Sequence, residues 1–280
     1  MKGKIICINT SIHKVLLENN TIIDTKTRGK LRNEKVFPVV GDNVIVNTET
    51  KTIEKVEKRK NYLERPLIAN IDKLLIVMST SIPAFSSYLI DKFLIIAYQN
   101  NIEPIIVITK TDMISLKEKT DIKKYINYYR KLGIKVYVNT SVSKIKKEFN
   151  NSVVALCGQT GSGKSSLLNR IDASLSLKTG EVSESLGRGK HTTRLVELLE
   201  VNDGLIADTP GFSSLDLNID KKDIKSYYKD FSIPCKYRGC IHLKEDGCSI
   251  KALVEKGKIP EWRYENYTKF ISEVEEEKRK

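Results

Sequence analysis

The sequence has no long apolar run. Its longest, LLIVM (74–78) and PIIVI (104–108), are strand-sized and too short to span a bilayer. The amino terminus, MKGKIICINT, has no apolar core of the length a signal peptide needs. The expectation is therefore a cytoplasmic protein with no membrane role. Internal repeats and low-complexity linkers are also missing, which argues against a solenoid or a disordered tether. Acidic residues are in short supply, 35 Asp/Glu against 48 Lys/Arg, a net charge of +13. That deficit points to a polyanionic partner, nucleic acid first, although a Lys/Ile/Asn-rich composition bias produces the same sum. Cysteine is sparse and odd in number, five in all. Cys7 and Cys157 sit in apolar strand-like runs as buried thiols. The other three cluster with a histidine near the carboxyl end, a pattern that in a cytosolic protein reads as metal before disulfide.

What is present is ordinary for a soluble globular chain: 280 residues, 40% hydrophobic and 30% charged, enough for two or three small domains. Three regions differ in character. Residues 1–65 read as short strands rich in Ile, Val and Thr, split by Asn-Asn and Gly-Asp turn signals, and fit a small OB-like β-barrel. They hold 14 Lys/Arg against 8 Asp/Glu. Within them KTRGKLRNEK (26–35) places Lys26, Arg28, Lys30, Arg32 and Lys35 against Glu34, a loop able to track a phosphate backbone. A plain solvated loop has the same composition. Residues 66–218 alternate apolar strands with amphipathic helices, the mark of a parallel α/β sheet whose ligands bind at the carboxyl ends of the strands. Residues 219–280 read as helices around the Cys/His cluster.

GQTGSGKS, Gly158-Gln159-Thr160-Gly161-Ser162-Gly163-Lys164-Ser165 followed by Ser166, fits GxxxxGK[ST] between an apolar strand and a helix. Its glycines let backbone N–H groups curl around phosphate oxygens, and the helix start adds positive dipole. Lys164 would reach the β- and γ-phosphates and Ser165 would ligate Mg²⁺. Asp208-Thr209-Pro210-Gly211 follows the strand GLIAD, a position suited to holding Mg²⁺ through a water, while the Gly211 N–H could meet a γ-phosphate. Between them lies GRGKHTTRLVELLE (187–200), entered through a polar, Gly-rich stretch over 178–191; it offers Thr193, and second Thr192, to complete the Mg²⁺ shell, as switch loops do. A hydroxyl-rich turn is the plainer alternative. TKTD (109–112) ends the strand PIIVI. Asp112 could accept both the N1–H and the exocyclic amine of guanine, with the Lys110 stem over the base. Thr140 and Ser141, ending the strand KVYVN, could touch the base edge.

The order TKTD, TS, GQTGSGKS, HTT, DTPG resembles the GTPase signature in circularly permuted order. With a basic barrel in front and a Cys/His module behind, the whole chain resembles the bacterial ribosome small-subunit-dependent GTPase family, RsgA. The resemblance implies three parts: the barrel over 1–65, binding RNA; a permuted P-loop GTPase domain over 66–218; and a helical zinc-binding domain over 219–280. It further implies GTP and GDP as ligands, the small ribosomal subunit and its rRNA as partners, and release after hydrolysis. No dimerisation signal is present, and a monomer is expected.

The cluster Cys235-x4-Cys240-x-His242-x5-Cys248 supplies three thiolates and an imidazole, a closed tetrahedral set suited to one structural Zn²⁺. Lys236, Tyr237, Arg238 and Lys244 within it would suit RNA contact, or form a solvated face.

Two departures from the GTPase pattern stand out. Thr109 replaces the Asn of NKxD, which normally braces the P-loop, so looser nucleotide binding is expected, with base choice kept by Asp112. Phe212 follows Gly211 where many GTPases carry a Gln that orients the attacking water. Hydrolysis should be slow until a partner helps. His191 is the candidate to place the water, and Arg188 and Arg194 are both candidates for a charge-stabilising arginine. Two other readings remain at this level: a P-loop ATPase or kinase, which leaves TKTD and DTPG unused, and an RNA-binding protein with nucleotide as a structural ligand.

Overall fold

The structure is a computed structural model and describes residues 1–29, 37–64, 66–176, 196–208 and 219–277. Five strands open the chain: β1 (Lys2–Asn9), β2 (Ile12–Leu17), β3 (Ile22–Thr27), β4 (Asn43–Asn47) and β5 (Thr52–Val56). β1, β2 and β3 form an antiparallel meander, β3 pairs parallel with β5, β5 pairs with β4, and β4 returns to β1. This closes a five-stranded barrel of the expected kind, and closure removes the free edges that an open sheet would expose. Alternation along the strands sends Val15 and Leu17 of β2 and Val44 and Val46 of β4 inward. Together with Ile5 and Ile53 they fill the barrel.

A short hairpin, β6 (Tyr62–Glu64) with β7 (Leu67–Ala69), leads into the second part. There β8 (Lys73–Ser79), β9 (Glu103–Thr109), β10 (Lys135–Val138), β11 (Val153–Cys157), β12 (Glu197–Val201) and β13 (Gly204–Asp208) lie in the order β10-β9-β8-β11-β13-β12. All neighbours are parallel except the hairpin β12–β13. Helices α1 (Ser87–Gln99) and α2 (Leu116–Lys131) cover one face, and α3 (Val142–Lys147) and α4 (Lys164–Ile171) the other. The central strands are therefore apolar on both faces: alternate residues of β8, Leu74, Ile76 and Met78 against Leu75 and Val77, feed two separate cores. Each such fully buried side chain contributes about 1.5–3 kcal/mol.

Two features go beyond the sequence-based expectation. β12 is a strand, turned into β13 at Asn202, which has a positive φ of 55°. The sequence pattern assigns residues 197–200 no element of their own, although the Asn-Asp-Gly at 202–204 is a hairpin signal. In addition, β1 pairs with β12 at Cys7 and Glu197, so barrel and α/β sheet form one run of eleven hydrogen-bonded strands. β1 serves both along one side, Lys2–Lys4 pairing with β4 and Cys7 with β12, while its ladder to β2 on the other side shifts register between Ile5 and Cys7.

At the amino ends of the strands, Glu148 receives the Lys73 and Lys135 ammonium groups, each at 3.0 Å, and the Tyr137 hydroxyl at 2.7 Å. Burial favours its neutral form, but these three donors outweigh burial and hold its pKa below the usual carboxylate value.

Beyond residue 218 the chain forms two short 3-10 turns, Ile224–Tyr227 and Lys229–Phe231, then α5 (Ser249–Glu255) and α6 (Glu261–Glu277). This part packs on α1 and α2 and shares their core. That is why α1 buries residues on several faces: Ile90, Asp91, Phe93, Leu94, Ile95, Ile96 and Ala97. Among the described residues no helix is long and apolar enough to cross a membrane.

Candidate nucleotide site and metal centre

β11 ends at Cys157, and residues 158–163 wrap from the strand into α4, whose amino-terminal cap is Gly163. Gly158 is required here. Its φ is +136°, and a Cβ would lie 2.1 Å from the Val77 carbonyl oxygen of the neighbouring strand. The Lys164 ammonium donates to the carbonyls of Gly158 and Gln159, each at 2.8 Å. Burial pushes its pKa below the ordinary lysine value. Ser165 is buried, and Thr160, Gly161 and Ser166 are exposed. Gln159 Oε1 and Ser162 Oγ are buried with no hydrogen-bond partner among the described residues. Buried polar atoms of this kind normally have partners, and here they sit in the loop whose composition suits a phosphate ligand.

The candidate base loop starts at the carboxyl end of β9. Thr109, buried, donates its hydroxyl to the Ser162 carbonyl at 2.6 Å. Where the NKxD pattern carries Asn, the shorter Thr109 hydroxyl thus ties this loop to residues 158–163. Lys110 has a positive φ of 58° and its ammonium donates to the Ile82 carbonyl. Thr111 donates to Asn139 Oδ1 at 3.1 Å. Asp112 is exposed in the following turn, which leads to Ser115 and a capping box with Glu118 at the start of α2. Thr140 is exposed, and Ser141 caps α3 without a side-chain bond.

All these loops lie on one edge of the sheet, because β8, β9, β10, β11 and β13 run parallel and all end there. Asp208 ends β13 on that edge. Thr209, Pro210, Gly211 and Phe212 lie outside the described residues. So do Arg188, His191, Thr192, Thr193, Arg194 and, in the barrel loop, Lys30, Arg32, Glu34 and Lys35. Sequence reasoning missed two residues of this edge, Asn139 and Thr80. Asn139 had a signal, a polar residue closing an apolar strand. Thr80 had none beyond its place after β8.

The second centre is in the carboxyl-terminal part. One ligand atom from each of Cys235, Cys240, His242 and Cys248 lies within 4.8 Å of all the others. His242 Nδ1 is 3.5, 3.4 and 3.3 Å from the sulfurs of Cys235, Cys240 and Cys248, and Cys235 Sγ is 3.8 Å from Cys248 Sγ. These are the edges of a tetrahedron with metal–sulfur bonds of about 2.3 Å and a metal–nitrogen bond of about 2.0 Å, and far too long for a disulfide. The donor set and its spacing therefore fit a four-coordinate metal ion. Glu245 fixes the loop by accepting from the amides of Ile241 and Leu243 at 2.7 and 2.8 Å. Helix α6 holds it from outside, Tyr264 and Tyr267 donating to the carbonyls of His242 and Ile241.

The same order of parts recurs in known proteins. The chain matches the RsgA N-terminal domain over residues 2–53 and the RsgA GTPase domain over residues 54–218. It is 42% identical over 285 residues to the small ribosomal subunit biogenesis GTPase RsgA of Halalkalibacterium halodurans, covering 98% of this chain and 97% of that one. The protein of the same name from Clostridium botulinum is 42% identical over 283 residues, with 98% and 97% covered. Among solved structures, YloQ, described as a circularly permuted GTPase, superposes with a TM-score of 0.84 at 35% identity over 99% of this chain and 95% of its own. YjeQ from Thermotoga maritima gives 0.85 at 32% identity over 98% of both. A candidate base loop that precedes the candidate phosphate loop, on a sheet continuous with a closed barrel, has this explanation: the chain belongs to the RsgA family of circularly permuted GTPases.

Proposed function

We propose that this chain hydrolyses GTP slowly to GDP and phosphate, is stimulated by the small ribosomal subunit, and assists late maturation of that subunit through rRNA contacts. One observation carries the reading. The Lys164 loop and the Asp112 loop are joined by the Thr109 hydroxyl on the Ser162 carbonyl, at 2.6 Å. An ATPase or kinase needs the first loop and has no use for the second.

In this reading residues 158–166 wrap the phosphates, Lys164 moving from loop carbonyls to phosphate oxygens. A triphosphate would supply the partner charge that burial of Lys164 calls for. Ser165, Thr193 and, through a water, Asp208 would hold Mg²⁺, which supplies charge neutralisation at the β- and γ-phosphates when bound. Gly211 would meet the γ-phosphate and His191 would place the water. Asp112, Lys110, Thr109, Thr111, Thr140 and Ser141 would form the base site. Cys235, Cys240, His242 and Cys248 would hold one structural Zn²⁺. The parts divide at about residues 65 and 218, the protein acts as a cytoplasmic monomer, and its barrel contacts rRNA.

The test is GTP turnover with small subunits, with large subunits and with neither. Stimulation by small subunits alone is expected. Equal rates in all three would instead favour an RNA-binding protein that keeps nucleotide as a structural ligand. Asp112→Asn should move preference from guanine towards xanthine nucleotides, and an unchanged preference would remove the guanine assignment.

A further inference from the structure

We infer that Thr80 is a positioning residue for base selection, holding the turn that carries Asp112 in the one setting that presents its carboxylate to the guanine edge. The inference rests on the reading of residues 109–112 given above.

Thr80 follows β8, the strand between β9 and β11, so it sits between the base loop and the phosphate loop. It is 8% exposed. Its amide donates to the Thr109 carbonyl at 3.1 Å and its hydroxyl to the Lys110 carbonyl at 2.7 Å. Two consecutive carbonyls of the motif therefore end on one residue.

The Lys110 carbonyl has a second role. It accepts the Met113 amide at 3.0 Å, which closes the four-residue turn containing Asp112. The atom around which the Asp112 turn is wound is thus the atom that Thr80 ties to the sheet. Lys110 also has a left-handed φ of 58°, a setting that a side-chain-bearing residue keeps only when its surroundings impose it. The surroundings here are Thr80 on one side and the Ile82 carbonyl, which receives the Lys110 ammonium, on the other. The same short loop lies against the phosphate loop, since a Cβ on Gly161 would be 3.6 Å from Pro83 Cδ.

The other ties of the motif do not duplicate this one. Thr109 is fixed to Ser162 and Thr111 to Asn139, and neither bond touches the Lys110 carbonyl. Without the Thr80 hydroxyl the turn keeps its Met113 bond, but its Lys110 carbonyl is no longer tied to the sheet. The carboxylate of Asp112 is then free to tilt with the turn. What is lost first is the two-point match to N1–H and the exocyclic amine, not the hold on phosphate.

The test compares GTP with ITP, which lacks the exocyclic amine, and uses inorganic tripolyphosphate as a probe of the phosphate loop alone. Thr80→Val should lower the preference for GTP over ITP by roughly three- to tenfold, the scale of one neutral hydrogen bond, and leave tripolyphosphate affinity unchanged. Thr80→Ser should restore the preference. If the valine variant loses its cooperative melting transition, Thr80→Ala takes its place and the same ratio decides. A variant that melts like the parent and keeps the parent's GTP-to-ITP ratio overturns the proposal. So does a parallel loss of tripolyphosphate binding, which would mean general damage to the site. Asp112→Asn is measured alongside. If that substitution fails to move preference towards xanthine, the guanine reading itself has failed and Thr80 falls with it. If it moves preference and Thr80→Val does not, only the positioning role is lost.

Discussion

The hydroxyl of Thr109 donates to the carbonyl of Ser162 at 2.6 Å, across 53 residues of sequence. It ties the end of β9 to the middle of the 158–163 loop, so the proposed base loop and the proposed phosphate loop are held in one relative setting. Thr109→Val keeps the shape and removes the donor, leaving a buried carbonyl without that partner. Equilibrium binding of GDP should weaken about tenfold, with the melting transition retained. Thr109→Ser should bind like the parent. A valine variant of unchanged affinity would show the brace to be idle.

Arg263 crosses from α6 to the α/β part of the chain. It pairs with Asp91 of α1 and, at 3.0 Å, with Asp230, and stands 4.1 Å above the Tyr228 ring. Asn266 and Tyr129 each add a bond of 2.7 Å to Asp91. Burial opposes the charge of Arg263, but the two carboxylates outweigh it and push its pKa up. Arg263→Met leaves both carboxylates buried without their cation and should cost about 3–5 kcal/mol in chemical denaturation. Adding Asp91→Asn should recover part of that loss. A loss below about 1 kcal/mol would mean the site relaxes or hydrates freely.

With the proposed Zn²⁺ site, removing the metal should act mainly on the carboxyl-terminal part. A chelator strong enough to strip Zn²⁺ should make the thiols of Cys235, Cys240 and Cys248 reactive and lower the thermal midpoint, because the loop between them has little core of its own. GTP affinity should stay within about twofold, since among the described residues the ligand loop is held by hydrogen bonds to α6 and within itself. Parallel loss of nucleotide binding would refute a purely structural metal.

Glu148 supplies a pH dependence. Its folded pKa is depressed, so its contribution to stability is present above the unfolded value of a glutamate and is lost as pH falls through the folded one. The thermal midpoint of the parent should therefore fall more steeply than that of Glu148→Gln from about pH 5 downwards. Parallel curves would remove this role.

His191 is the candidate to place the attacking water. His191→Ala should slow single-turnover hydrolysis more than it weakens binding of a non-hydrolysable GTP analogue. Equal losses would point to a binding role.

Motifs read by local spacing were open to the sequence. The Gly158–Ser166 stretch, TKTD and the Cys235–Cys248 ligands each lie within a short segment whose chemistry depends on residue type and separation. Barrel strands were also legible, since a half-buried strand writes its alternation into the chain. β12 was not, because its five residues, ELLEV, mix charge and apolarity without a clean period. Asp91 and Arg263 left no trace either. Asp91 reads as the polar face of an amphipathic helix and becomes a buried ion-pair partner only once α6 lies across it.

The sequence by itself determined the family of loops, their permuted order and the Cys/His cluster, because each is a local pattern. Only the tertiary structure decided what holds the loops in place: Thr80 on the Lys110 carbonyl, Thr109 on Ser162, Asn139 under Thr111. It also decided that the barrel joins the α/β sheet through Cys7 and Glu197. The physical reason is common to all of them. Each is a hydrogen bond between residues that only strand order brings together, and the type of either residue alone carries no record of its partner.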